Sequence, residues 1–374
     1  MKILCIAASF IPSNTANSMQ VVKVTQALSS LGHDVTLLVP GRQETSWDAL
    51  QTHYGLHNPI SIHWIPENLI FRRYDFTLKA LHYARQHEAD LVYTWVLQAA
   101  VLSLGRGLPV VLELHDRVTG KLGPWLFRRF YSARNKKRLL TNTEALRRVL
   151  ISDFSLQPSS IDIVAAPNGV DLERYQDLPS PEKARQELGL PEGFTAGYSG
   201  HFYHGRGIDL MMELARQMPG VQFLLVGGEP SDVTLWKKRL QLQNIENVTL
   251  TGFIDNARLP LYQAASEVLL MPYSTSIAGS GGGNSADVAS PMKMFEYLAA
   301  GRAILSSDLP VVHEVLDEST AVFCPPDDPE AWKEALNDLQ ADPSKREKLG
   351  SAARTASKAY TWHKRAERAL SDFP

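Results

Sequence analysis

The segment Ala289-Ser290-Pro291-Met292-Lys293-Met294-Phe295-Glu296-Tyr297-Leu298-Ala299-Ala300-Gly301 puts an anion site and a carboxylate one helical turn apart. Ser290 suits an N-cap, Pro291 the first helical position and Gly301 the stop. A helix so bounded starts with free backbone amides at Met292 and Lys293 and with a dipole that favours an anion. Glu296 follows Met292 on the same face, about 6 Å along the axis. A phosphate on the amides and a carboxylate accepting from both ribose hydroxyls match a nucleoside diphosphate. A well-capped surface helix accounts for the same residues, so the surrounding loops must decide.

Residues 195–199 read as a strand that runs into Gly200-His201-Phe202-Tyr203-His204-Gly205-Arg206-Gly207-Ile208. Glycines on both sides of Arg206 let backbone approach a ligand just before a helix, and the guanidinium offers a fork for phosphate oxygens. His201 is a second candidate phosphate donor, or a simple loop hydrogen-bonder. Gly252 and Phe253, after another strand, could cradle a base through backbone groups. The glycine-rich loop 274–289 suits a segment that orders over substrate, and an unstructured insertion has the same composition.

In the first half, strand 3–8 leads to Ser13, Asn14, Asn17 and Ser18 ahead of a helix, where they either face a ligand or cap that helix. The loop lacks Gly-x-Gly-x-x-Gly, which argues against a dinucleotide dehydrogenase. Strand 110–114 ends in His115-Asp116-Arg117, so His115 is either a substrate contact or acid–base group, or a histidine held structurally by Asp116. Residues 121–140 hold seven Lys and Arg, no acid, and Trp125, Phe127, Phe130 and Tyr131 between them. On one helix these would dock on an anionic bilayer, or form a solvated basic face with its aromatics turned inward. No nucleic-acid module accompanies the patch, so no nucleic-acid partner is expected.

Short apolar strands alternate with helices along the whole chain. Strands are expected at 3–8, 34–39, 61–65, 91–95, 110–114 and 161–165. A second series follows at 195–199, 221–226, 248–251, 268–271, 303–306 and 321–324. Continuously apolar strands separated by helices indicate parallel sheets covered on both faces, hence an α/β chain of two doubly wound domains. The length of 374 residues also suits two cores. Pro167-Asn168-Gly169-Val170-Asp171 marks the join, and everything after 341 reads as helix. Residues 1–175 carry a net charge of +5 and the remainder −7, which suits an anionic partner on the first half. Cys5 and Cys324 lie in apolar runs as expected of free buried thiols. No apolar run is long enough for a membrane span or a signal-peptide core, so a cytoplasmic location is expected.

Five segments, in this order, resemble the retaining glycosyltransferases of family 4, which have the two-domain GT-B fold. They are Leu31-Gly32-His33-Asp34-Val35, the Pro167–Asp171 turn, the Ser199–Gly207 phosphate loop, the Ser290–Ala299 donor helix, and Thr361-Trp362 with the basic helix behind it. The resemblance implies two Rossmann-like domains facing a central cleft. Residues 1–170 would bind acceptor and 171–355 the nucleotide sugar, with a helix in 356–374 returning to the first domain. It also implies that Glu296 holds the donor ribose, and that Arg206 with the amides of Ser290, Pro291, Met292 and Lys293 holds the diphosphate. Gly200, His201, Gly207, Gly252 and Phe253 would complete that site, Asn17 and Ser18 would face the donor phosphates, and His115 would contact the transferred sugar. His115, Glu296 and Arg206 are then the catalytic candidates. The family normally uses no metal or cofactor, in keeping with the absence of an Asp-x-Asp motif.

Three departures stand out. Val288 occupies the place of the family's first glutamate, with Asp287 beside it; His201 and Arg206 replace the usual phosphate-loop arginine and lysine; and the glycine pair after the first strand is missing. The expected function is transfer of a sugar from a nucleotide donor, UDP before GDP-mannose, to a lipid-linked, polysaccharide or small-molecule acceptor. An anionic membrane surface is the expected further partner. A nucleotide-sugar 2-epimerase and a non-catalytic nucleotide-sugar-binding protein are the rivals.

Overall fold

The computed structural model describes all residues except 72, 158–160, 278–284 and 374. It divides into two compact units, Met1–Asn168 with Trp362–Pro374, and Gly169–Thr361. The divisions fall after Asn168 and Thr361, not after 170 and 355 as the sequence suggested. The Val170 amide donates to Tyr360 O at 2.9 Å, and helix Pro343–Ser357 packs on helix Met292–Ala300. Those contacts keep residues 356–361 with the second unit.

The first unit is built on a seven-stranded parallel sheet. Its strands are β1 (Lys2–Ile6), β2 (Asp34–Pro40), β3 (Ser61–Ile65), β4 (Leu91–Thr94), β5 (Val110–Leu114), β6 (Lys137–Thr141) and β7 (Asp162–Ala165). They lie in the order β3-β2-β1-β4-β5-β6-β7. The order reverses between β1 and β4, so their carboxyl ends, with that of β5 beside them, open on the crevice where such sheets bind ligands.

The sequence reading missed β6 and placed its residues on a basic helix. The helix spans only Gly123–Ser132, and Lys137 and Arg138 belong to the strand. Arg138 is buried because Asp162 on neighbouring β7 pairs with it at 2.5 Å and Ala369 O accepts from it at 2.9 Å. A charge compensated in this way can occupy a strand that composition alone marks as solvated.

The second unit repeats the plan with β8 (Thr195–Ser199), β9 (Gln222–Val226), β10 (Val248–Gly252), β11 (Val268–Met271), β12 (Ala303–Ser307) and β13 (Ala321–Cys324). All are parallel, in the order β10-β9-β8-β11-β12-β13, with the reversal between β8 and β11. One core in this unit gathers Tyr198, Met211, Leu225, Leu270, Leu305 and Trp332 from strands and covering helices. Both cysteines are buried and free, and burial pushes their thiols up, to about 12 for Cys5 and about 11 for Cys324.

Candidate active site

In the second unit, helix Met292–Ala300 starts at the carboxyl end of the sheet and stops at Gly301, whose φ of 64° no β-branched residue would tolerate well. Pro291 takes the N-cap place in an extended conformation, one residue later than the sequence suggested, so Ser290 lies outside the helix. Proline has no side-chain acceptor, and the helix start carries no side-chain cap.

Lys293 is the unusual residue. Its side chain is buried and its Nζ has no hydrogen-bond partner among the described residues. The ammonium stands 3.5 Å from the Tyr198 ring centroid and 5.5 Å from that of Tyr273. Arg206 lies over the other reach of the same box, 5.0 Å from the Tyr273 ring. Gly200 makes room, since a Cβ there would stand 2.8 Å from Nζ. Burial pushes the ammonium well below the ordinary lysine value, the Arg206 charge adds to that, and Glu296 opposes it. Taking an ion out of water costs several kcal/mol, and a ring face returns about 2 kcal/mol at most. Two basic side chains, Lys293 and Arg206, thus lie together beside an uncapped helix start.

Glu296 sits one turn along, half-buried, and accepts from Gln263 Nε2 at 3.2 Å. Gln263 also donates to Ser199 Oγ at 3.2 Å and accepts from Tyr175 Oη at 3.0 Å. Tyr297 Oη accepts from the Ser199 amide at 2.8 Å, which ties the helix to the end of β8. A carboxylate oriented this way retains acceptor capacity for vicinal hydroxyls.

The glycines around Arg206 serve a different purpose from the one the sequence suggested. A Cβ on Gly205 would stand 2.1 Å from Ser276 O, and one on Gly207 2.0 Å from Pro272 O. They admit the protein's own 272–277 backbone, which in turn holds Arg206 in place. His201 stacks on Tyr203 at 4.8 Å, and its carbonyl accepts from Tyr198 Oη at 2.7 Å. Gly252 accepts from the Gly227 amide at 2.9 Å, and Phe253 beside it is exposed. Val288 is fully buried and Asp287 exposed, so the acid does not share the environment of the position it was considered to fill. The glycine-rich part of the 274–289 loop lies outside the described residues.

In the first unit, His115 follows β5, and its Nε2 lies 2.5 Å from Glu113 Oε1. Asp116, the partner suggested by sequence, instead accepts from the Arg117 amide at 2.7 Å. Residues two apart on a strand share a face and neighbours do not, which is why Glu113 wins. Ser18 is completely buried, its hydroxyl donating to Ser13 O at 2.6 Å and Thr15 O at 2.8 Å. It belongs to the helix cap, with Thr15 as the N-cap residue, while Asn17 is exposed in the first turn. Among the described residues no group of three His, Cys, Asp or Glu side chains is placed to hold a metal ion.

Two family descriptions match the chain: Glycosyltransferase Family 4 over residues 18–174 and Glycosyl transferases group 1 over 180–356. The chain belongs to the GT-B glycosyltransferases. D-inositol 3-phosphate glycosyltransferase of Kineococcus radiotolerans is 24% identical over 62% of this chain and 56% of its own length. Phosphatidyl-myo-inositol mannosyltransferase of Mycolicibacterium smegmatis is 24% identical over 91% of this chain and 85% of its own. The chain thus spans little more than half of the first of these relatives and most of the second. Among solved structures, Anabaena HepE in complex with UDP-glucose superposes with a TM-score of 0.75 at 18% identity, covering 100% of this chain and 99% of that one.

For this glycosyltransferase, sequence reasoning singled out Lys293 for its backbone amide and passed over its ammonium. It also missed Glu113, Arg365, Tyr93 and Gln20 around His115, and Tyr198, Tyr273 and Gln263 around the donor helix. Glu113 did leave a signal: it is the one acid inside the apolar strand Val110-Val111-Leu112-Glu113-Leu114. A charge at such a place needs a partner, and nothing nearby in sequence names Arg365.

Proposed function

We propose that this chain is a retaining transferase that moves a sugar from a nucleoside diphosphate sugar to a glycan or lipid-linked acceptor. The observation that carries the reading is the buried Lys293 side chain, its Nζ without a hydrogen-bond partner among the described residues, beside Arg206 and an uncapped helix start, with Glu296 one turn beyond. A diphosphate supplies the missing negative charge and a ribose the hydroxyls. The acceptor oxygen bonds to the anomeric carbon on the face from which the diphosphate departs. The old carbon–oxygen bond gives its electron pair to the phosphate, which takes up the acceptor's proton. The two cations and the helix amides stabilise that charge, with no enzymic nucleophile and no metal in the scheme. HepE was solved in complex with UDP-glucose and a relative is named a GDP-mannose-dependent mannosyltransferase, which supports UDP-sugars first and GDP-mannose next as donors.

The test is a thermal-shift series with UDP-, GDP- and ADP-sugars. One base should stabilise the protein, by about 2.7 kcal/mol at a hundredfold excess over Kd, and Glu296→Ala should reduce that shift. No stabilisation of the wild type by any of the three would overturn the reading.

The acceptor side of the proposal rests on helix Gly123–Ser132. Leu126, Phe127 and Phe130 are buried, while Leu122, Trp125, Arg128 and Arg129 share the exposed face, with Arg129 5.4 Å from the Trp125 ring. An apolar wedge flanked by cations suits an anionic bilayer surface, here assigned to the cytoplasmic face of the membrane. Among the described residues no helix is long and apolar enough to cross a membrane. Vesicles rich in phosphatidylglycerol should sediment the protein and pure phosphatidylcholine should not. Arg128→Glu with Arg129→Glu should weaken sedimentation at least about tenfold, since each basic residue near such a surface contributes about 1 kcal/mol. Equal sedimentation of variant and wild type removes the membrane from the proposal.

A further inference from the structure

We infer that Glu113 and Arg365 are positioning residues for His115, and that the C-terminal helix thereby forms part of the catalytic apparatus; the inference rests on the transfer reaction proposed above. The helix Trp362–Leu370 belongs to the first unit and packs on helix Ala16–Ser30. Its Arg365 is buried and reaches the strand residue, with Nη2 2.5 Å from Glu113 Oε1. The Glu113 side chain is fully buried. It accepts from four elements: Gln20 of helix Ala16–Ser30, Tyr93 of β4, Arg365 of the C-terminal helix, and His115 beyond its own strand. Among the described residues the Cys5 thiol of β1 also faces it.

Burial alone would raise the Glu113 carboxyl. The Arg365 charge and the donors from His115 and Tyr93 outweigh it and hold the pKa at about 2. The group is therefore a permanent carboxylate. A carboxylate facing Nε2 requires the imidazole proton there, which fixes the tautomer and the plane of the ring. His115 is 27% exposed at its side chain, and its Nδ1 has no partner among the described residues. With Nε2 committed inward, Nδ1 is the ring nitrogen left to accept from a substrate hydroxyl. A purely structural ion pair would need Arg365 and Glu113 alone. The convergence of His115 on the same oxygen as Arg365 is what ties the pair to a residue at the sheet's carboxyl end.

The experiment compares wild type with Glu113→Gln, which keeps the shape and removes the charge, and with Arg365→Lys, which keeps the charge and shortens the reach. Nitrogen-15 NMR of histidine-labelled protein, with His115→Gln to assign the signal, should show a downfield, slowly exchanging Nε2 proton on His115. In Glu113→Gln that proton should exchange freely, because the carboxylate that holds it is gone. Turnover should fall roughly 100-fold in Glu113→Gln, with donor Kd changed less than about twofold. Arg365→Lys should keep the NMR signature and recover part of the rate. Should Glu113→Gln fail to fold, loss of the Nε2 signature in folded Arg365→Lys without change in turnover would overturn the inference. Unchanged His115 resonances in folded Glu113→Gln would overturn it as well. The NMR readout needs no substrate, so it stands or falls separately from the proposed reaction.

Discussion

Lys293→Met should weaken the hold on a nucleoside diphosphate by about 1.5–3 kcal/mol, roughly 10- to 150-fold, while making the unliganded protein more stable. The two effects have one cause. The ammonium is buried against the Tyr198 and Tyr273 rings with no acceptor among the described residues. Methionine fills nearly the same space without a charge, and exchanging buried ions for apolar groups of similar volume often stabilises by about 1–4 kcal/mol. With a diphosphate present, the same ammonium contributes a charged hydrogen bond that methionine cannot make. Calorimetric titration with nucleoside diphosphate and chemical denaturation of both proteins check the pair of outcomes. Unchanged affinity would place the anion elsewhere; lost stability would mean that Lys293 is a structural cation.

A pH dependence follows with a definite sign. The folded ammonium titrates below its ordinary value of 10.5. Between the folded value and 10.5 the unfolded chain holds the extra proton. Stability in that window rises with pH and is lost as pH falls. Lys293→Met should remove that slope, and diphosphate binding to the wild type should take up a proton there.

His115→Ala should cost about 1,000-fold in turnover and leave donor affinity within about threefold. Its ring is held to Glu113 at 2.5 Å in the first unit, whereas Lys293, Arg206 and Glu296 all lie in the second. In the proposed reaction His115 meets the sugar or the attacking hydroxyl and not the nucleotide, so the loss should fall on kcat rather than on donor Kd. Single-turnover assays with saturating donor separate the two. Equal turnover would make His115 a structural residue that serves only to satisfy Glu113.

The alternation of apolar runs with helical periodicity made twelve of the thirteen strands among the described residues legible, because parallel strands covered on both faces must be continuously apolar. β6 escaped because its Lys137-Arg138 start reads as solvated, and only the fold supplies Asp162 to neutralise Arg138. The donor helix and Glu296 were legible for a local reason: cap residues, helix phase and turn spacing all act within a few positions. By itself the sequence determined two doubly wound units, the place of their ligand-binding loops and the family they resemble. Tertiary structure alone decided which charges are satisfied. It set Lys293 among aromatic rings with no acceptor among the described residues, and it brought Arg365 to Glu113 across 252 positions of sequence. Compensation of a buried charge depends on distance in space, and no local pattern encodes a partner that arrives from the far end of the chain.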